Sequence, residues 1–408
     1  MLRYWVKYHH SIWSGILLII RMIAGFGTQK VVALFYGPTG TTLLSHFQNF
    51  VALFTQPIQD AVAHGLINAF PKKSLQKTQV IGASILILVL LVFSSGLILL
   101  VSNQFKQSYF SFGLENWLLI IPSILLFCFG LIVSAIYVIQ KKLKLYSCII
   151  LIQWFVFFLS LFYQELKLDQ FLIYWLSIQS VFSLILIIPI HSYLKFNFKI
   201  DRKVVQHFKQ FLLMALTIWF SSKWVDYYVR EFAIREFGTI QTGLWQAVVR
   251  ISEGYRGLVI SFLFLSLYPI LSQKLAEGRI AVKNLRKYYL LFFFMSLIFL
   301  LLVFKFNGFI LNILYDEQYR VASDLFQFQI LGDVFAFLAF PFSIYLIASI
   351  KTRTYIITEL LSALIFVTLI VVNVEIGIEI LVYAHIVRFF CYFLMVSSVG
   401  LKSLSNAR

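Results

Sequence analysis

Apolar runs of membrane-spanning length recur along almost the whole chain, at about 9–35, 40–69, 77–101, 117–140, 145–163, 168–190, 204–230, 238–272, 288–306, 322–350, 354–373 and 377–400. About 20 apolar residues carry a helix across a bilayer, so the pattern predicts twelve transmembrane helices joined by short loops. The polar positions that interrupt the runs are few and patterned. In Gly243–Ser272, Arg250, Glu253 and Arg256 share an arc of about 120° at 100° per residue, opposite a side of Leu, Ile, Phe and Val. In the preceding run, Lys223, Asp226 and Arg230 stand at i, i+3 and i+7, again one face. Charges at membrane depth are tolerated where they face protein or a water-filled cavity, and they mark a substrate or ion path.

Composition excludes a soluble domain: 61% of residues are hydrophobic, 12% are charged and the mean hydropathy is +0.88, whereas soluble domains carry about a quarter charged residues. Cys128, Cys148 and Cys391 each lie inside an apolar run without a partner at close spacing, which indicates neither a disulfide framework nor a metal site. Arg3 and Lys7 precede an apolar run, as in a signal peptide. Arg21 interrupts that run and no A-x-A site follows, so the segment reads as the first helix.

The net charge of +17 is mostly a topology signal. With both termini cytoplasmic, the inner segments carry Arg3 and Lys7, Lys72 to Lys77, Lys141 to Lys144, Lys195 to Lys209, Lys274 to Lys287, Lys351 and Arg353, and Lys402 and Arg408. The outer segments hold Lys30, Lys106, Lys167, Arg230, Arg235, Lys305 and Arg320. Lys and Arg thus favour the inner side by about three to one. Cations spread over so many short segments form no single patch, which argues against a nucleic-acid partner.

Five cations and five carboxylates remain at membrane depth: Arg21, Lys223, Arg250, Arg256 and Arg388, and Asp60, Asp226, Glu253, Asp333 and Glu359. At about 1.5 Å per residue, Arg21, Lys223, Arg256 and Arg388 reach mid-depth, a set that suits an anionic ligand. The competing reading pairs the charges as struts, and Lys223–Asp226 and Arg250–Glu253 are spaced for it. Arg21 and Arg388 have no carboxylate at helical spacing in their own helices. Asp60, Asp333 and Glu359 have no basic residue one turn away, which makes them candidates for coupling to a proton or sodium gradient; Asp333 lies nearest mid-depth. Pro57 and Pro341 fall inside runs and permit kinks.

The chain divides after Tyr193 into halves of six helices, 1–195 and 196–408, each beginning on the inner side, the arrangement of a parallel repeat. Support in the sequence is a turn in each half, FYGPTG after the first run and EFGTIQTG after the seventh, each followed by a helix with a Gln near its start, Gln48 and Gln246. Enzyme signatures are absent. GPTGTT at 37–42 lacks the lysine and the strand of a P-loop, and neither H-E-x-x-H nor G-x-S-x-G occurs. His46, His64 and His385 lie within helices and read as hydrogen-bonded polar sites. No cofactor is indicated.

ALFYGPTGTTLLSHFQNF, GLWQAVVRISEGY followed by YPILS, and DLFQFQILGDVFAF with YIITEL resemble the Wzx-type flippases, in the polysaccharide-transporter branch of the multidrug/oligosaccharidyl-lipid/polysaccharide (MOP) exporter superfamily. The likeness is greatest to the O-antigen and lipid III (enterobacterial common antigen) flippases. Gly37, Pro38 and Gly40 match the family's F-G-P-x-G turn, Trp245 and Gln246 its I-W-Q, Glu253 the acid of its I-S-D, and Gly332–Asp333 its G-D. Arg250 and Asp226 depart from the pattern. The resemblance covers the whole length and implies an all-α membrane protein of about twelve helices in two six-helix halves around a central cavity, as in MATE-type transporters. It implies movement of an undecaprenyl-diphosphate-linked oligosaccharide from the cytoplasmic to the periplasmic leaflet of the bacterial inner membrane. A polysaccharide polymerase and chain-length proteins are the candidate protein partners. Two rivals remain. A drug antiporter of the same superfamily would line its cavity mainly with carboxylates, and a non-transport component of a polysaccharide assembly complex would show no ligand-dependent movement.

Overall fold

A computed structural model describes residues 2–70, 75–101, 112, 114–161, 166–276, 282–349 and 351–405. Lys72, Lys73, Ser74, Lys106, Arg279 and Arg408 lie outside them. Among the described residues the chain is entirely helical: α1 (Leu2–Pro57), α2 (His64–Ala69), α3 (Lys77–Val101), α4 (Leu114–Ile139), α5 (Leu143–Leu161), α6 (Leu168–Ile185), α7 (Arg202–Ile218), α8 (Val225–Ala276), α9 (Val282–Lys305), α10 (Asn307–Leu314), α11 (Ser323–Ala348), α12 (Thr352–Val372) and α13 (Ile380–Ser405). Two of them are double. α1 breaks at Gly37 and α8 at Gly238, and with those breaks each apolar run falls on its own helical segment. Among the described residues, eight helices are long and apolar enough to cross a membrane, or nine if Phe292–Lys305 and Asn307–Leu314, bent by 71°, form one span. One of the eight, Gly15–Ile67, contains two runs. The charged seventh and eighth runs are not among them. This is a multi-span helical membrane protein.

Packing divides the chain into two compact units, Met1–Thr28 with Leu43–Trp224, and Gln29–Thr42 with Val225–Arg408. They are units of contact, and the sequence halves are units of chain order, so α7 begins the second half and packs within the first unit.

In the first unit the consequence of Pro57 is visible. Proline has no N–H, so the carbonyl of Leu53, four residues earlier, loses its helical donor. The indole of Trp219 donates to that oxygen instead, at 2.9 Å. The helix widens just beyond it into a π-turn, Ile58–Ala63, and a second π-turn, Trp219–Trp224, carries the indole. π-turns of this kind commonly accompany functional sites and kinks.

In the second unit the two related turns pack on each other. Gly37 (φ 62°, ψ −159°) and Gly238 (φ 78°, ψ 170°) occupy the same backbone region, one essentially closed to side chains. The Thr42 hydroxyl donates to the Thr239 carbonyl at 2.6 Å, and a Cβ on Gly243 would overlap the carbonyl of Pro38. Beyond this corner α8 packs against α11, α11 against α13, and α13 against α12. Those four helices carry the site.

Candidate functional site

Helical spacing sets the faces that meet. In α11, Gln329, Gly332 and Asp333 lie within one turn. In α13, His385, Arg388 and Phe389 do the same. Gly332 lets the two helices approach, since a Cβ there would collide with the ring of His385. Together with α8 and Phe366 of α12 they line a partly open cavity within the second unit.

Asp333 is fully buried behind the cavity wall, at 0% exposure. Its Oδ1 lies 3.3 Å from Arg256 Nε and 3.0 Å from His385 Nε2. Its Oδ2 accepts hydrogen bonds from the Ser252 hydroxyl, at 2.7 Å, and from the Tyr255 hydroxyl. Gln329 Nε2 completes the group, 2.9 Å from His385 Nε2 and 3.2 Å from Ser252 Oγ. The absence of a nearby basic residue therefore holds only within α11. Across helices the carboxylate meets an arginine and a histidine.

The second cluster centres on Glu253. Arg250 Nη1 donates to its Oε2 at 3.1 Å, the pairing that i, i+3 spacing predicts. Arg230 Nη2 donates to its Oε1 at 3.2 Å, and Arg230 Nε to Gln246 Oε1 at 2.8 Å. Arg230 corrects the sequence reading, which places it in an outer loop. It is 2% exposed and lines the cavity. The charged string Arg230, Glu231, Arg235, Glu236 looks like a loop, but the helix continues through it to Gly238. Arg256 differs as well. Glu253 is already engaged by two arginines, and Arg256 turns to Asp333.

Arg388 is alone in its pairing. Its guanidinium packs over Phe366 at 5.1 Å and Phe389 at 5.5 Å. Among the described residues it has no hydrogen bond and no carboxylate at ion-pair distance; Asp226 and Glu359 act on it from further away. Arg256 lies 5.3 Å from the same Phe389 ring. Two cations thus share one aromatic support, an arrangement worth about 0.5–2 kcal/mol per contact.

Of the sequence candidates, the structure gathers Asp226, Arg250, Glu253, Arg256, Asp333 and Arg388 at or directly behind this cavity. Glu359 stands apart and accepts a hydrogen bond from Tyr392 at 2.7 Å. Arg21, Asp60 and Lys223 belong to the first unit. Arg21 donates to the Tyr146 hydroxyl at 2.6 Å, Asp60 accepts from Gln56 at 2.8 Å, and Lys223 sits in the second π-turn. Arg230, Trp245, Gln246, Tyr255, Gln329 and His385 complete the site without having been assigned to it. Trp245, Gln246 and His385 were visible only as motif or in-helix polar positions. Among the described residues no group of His, Cys, Asp and Glu could hold a metal ion.

No family model matches the chain. In sequence it is similar to the lipid III flippases of Escherichia coli K12 and Shigella flexneri, each 28% identical over 181 residues. The match spans 42% of this chain and 41% of the length of those relatives. The fold is matched over nearly the full length. An inward-facing multidrug resistance MATE family transporter of the MOP superfamily superposes with a TM-score of 0.76 at 11% identity, covering 96% of this chain and 95% of the other. The lipid II flippase MurJ, in an inward closed conformation, gives 0.70 at 14% identity over 98% and 90%. These matched proteins are transporters and flippases, which agrees with the lack of enzyme motifs. The chain thus has the all-helical fold of the MOP superfamily transporters, and over 42% of its length the likeness to lipid III flippases bears out the resemblance to the Wzx-type flippases.

Proposed function

We propose that the protein flips an undecaprenyl-diphosphate-linked oligosaccharide, an O-antigen or related repeat unit, from the cytoplasmic to the periplasmic leaflet of the bacterial inner membrane. The observation that carries this reading is Arg388, a guanidinium at a cavity lined by charged and aromatic side chains, with no ion-pair partner among the described residues. The other cations at the cavity are spoken for, Arg256 by Asp333 and Arg230 by Glu253. A diphosphate head brings the contacting anion that Arg388 lacks, through charge-assisted and bidentate hydrogen bonds. The prenyl tail stays in lipid, and the halves 1–195 and 196–408, with both termini cytoplasmic, alternate access to the cavity. A site for cationic drugs would not present a guanidinium with no carboxylate in ion-pair contact.

Coupling to a proton or sodium gradient would act through the carboxylates Asp60, Asp226, Glu253, Asp333 and Glu359. For Asp333 it would engage the Arg256–His385 network as a whole, because protonation of one member alters the contacts of the others.

A deletion strain tests the function. It should lose its surface polysaccharide and accumulate the lipid-linked unit on the inner leaflet, with rescue by the wild-type gene and not by Arg388→Ala. Accumulation on the outer leaflet would place the protein after translocation and refute the proposal.

A further inference from the structure

Two buried N–H groups at one end of the cavity have no acceptor. Arg230 uses Nε and Nη2 on Gln246 and Glu253, while its Nη1 bonds nothing. Trp245, 4% exposed, leaves its indole Nε1 without a partner. Both residues line the cavity, and Arg230 is tied to the helical turn that bears Trp245 through its bond to the next residue, Gln246. At a cavity, such donors can be satisfied by the oxygen of a ligand or a water.

The same end also presents acceptors, and this separates it chemically from Arg388. The carboxylate of Glu253 lines the cavity and is paired with Arg230, so that cation is balanced by an acid. A phosphate, which only accepts, would meet the Glu253 carboxylate at this end. A sugar hydroxyl both donates and accepts, and an acetamido group does the same, so a mixed wall of N–H and carboxylate satisfies either. Trp245 adds an apolar ring with a polar edge.

Resting on the proposed diphosphate site at Arg388, we infer that the Arg230–Trp245–Glu253 end is a saccharide subsite that takes the hydroxyl or amide groups of the sugar joined to the phosphate. The cavity is then bipolar. One end reads charge and the other reads the first sugar.

Full-length protein in lipid nanodiscs tests this with two probes, a polyprenyl diphosphate and the same lipid bearing a disaccharide. Wild-type protein should bind the glycosylated lipid more tightly. Trp245→Phe keeps the ring and deletes the N–H. It should weaken glycosylated-lipid binding about three- to tenfold, the effect of one hydrogen bond, and leave polyprenyl diphosphate affinity within about twofold. Unchanged binding of the bare lipid also shows that the variant is folded. Arg388→Ala should weaken both. Equal wild-type affinity for the two lipids, or a Trp245→Phe loss equal for both, overturns the saccharide subsite and leaves the anion site standing. Arg388→Ala binding bare lipid like wild type overturns the anion site, while a Trp245-dependent preference for the sugar would survive it.

Discussion

Arg256 and Asp333 form a buried ion pair, Nε to Oδ1 3.3 Å, that ties α8 to α11 beside the cavity. Asp333 is fully buried and Arg256 is 15% exposed at its side chain. Breaking such a pair from one side leaves a buried charge without compensation, at a cost of about 3–5 kcal/mol, whereas removing both partners costs much less. Asp333→Asn should therefore lower thermal stability sharply, and Asp333→Asn with Arg256→Gln should recover part of the loss. Losses that simply add in the double variant would show that the two groups do not depend on each other.

Gly332→Ala should act on the same network through sterics. The added methyl would collide with the His385 ring and push it away from Asp333. Overpacking of this kind costs about 1–3 kcal/mol, read as a drop in the unfolding temperature and in transport. A variant as stable and active as the wild type would show that α13 moves aside freely.

The corner glycines separate backbone strain from packing. At Gly238 a Cβ meets nothing within 4 Å, but φ is +78°. Gly238→Ala should cost about 1–3 kcal/mol from strain alone. Gly257 is equally open, with helical backbone, so Gly257→Ala should be neutral or stabilise by up to about 1 kcal/mol. Equal effects at the two sites would remove the strain argument.

These contacts mark where a sequence is legible and where it is not. Apolar runs locate helices because burial in lipid is a local property, and helical spacing placed Arg250 against Glu253. Spacing says nothing of partners on other helices or across a break, so the joining of Asp333 to Arg256 and His385, and of Arg230 to Gln246 across Gly238, required the packed structure. Arg230 was misplaced because its charged neighbours looked like a loop, although its register with Asp226 already put both on one face. Arg21, Asp60 and Lys223 were grouped with the others by depth, and depth does not specify which unit a residue packs in.

Orientation can be read by labelling. In a background with Cys128, Cys148 and Cys391 replaced by alanine, Gln318→Cys should react with an impermeant thiol reagent added outside the cell, and Ser192→Cys only after permeabilisation. Both positions are exposed in the structure. The reverse pattern would contradict the inward bias of Lys and Arg.

Flipping of a fluorescent polyprenyl-diphosphate oligosaccharide in proteoliposomes tests the proposed function most directly. Arg388 would give the diphosphate one or two charge-assisted hydrogen bonds of about 1.5–3 kcal/mol each. Arg388→Ala should therefore slow flipping at least about tenfold, and Arg388→Lys, which keeps the charge without the planar fork, should fall between. Flipping by Arg388→Ala at the wild-type rate would contradict an anionic head held in this cavity.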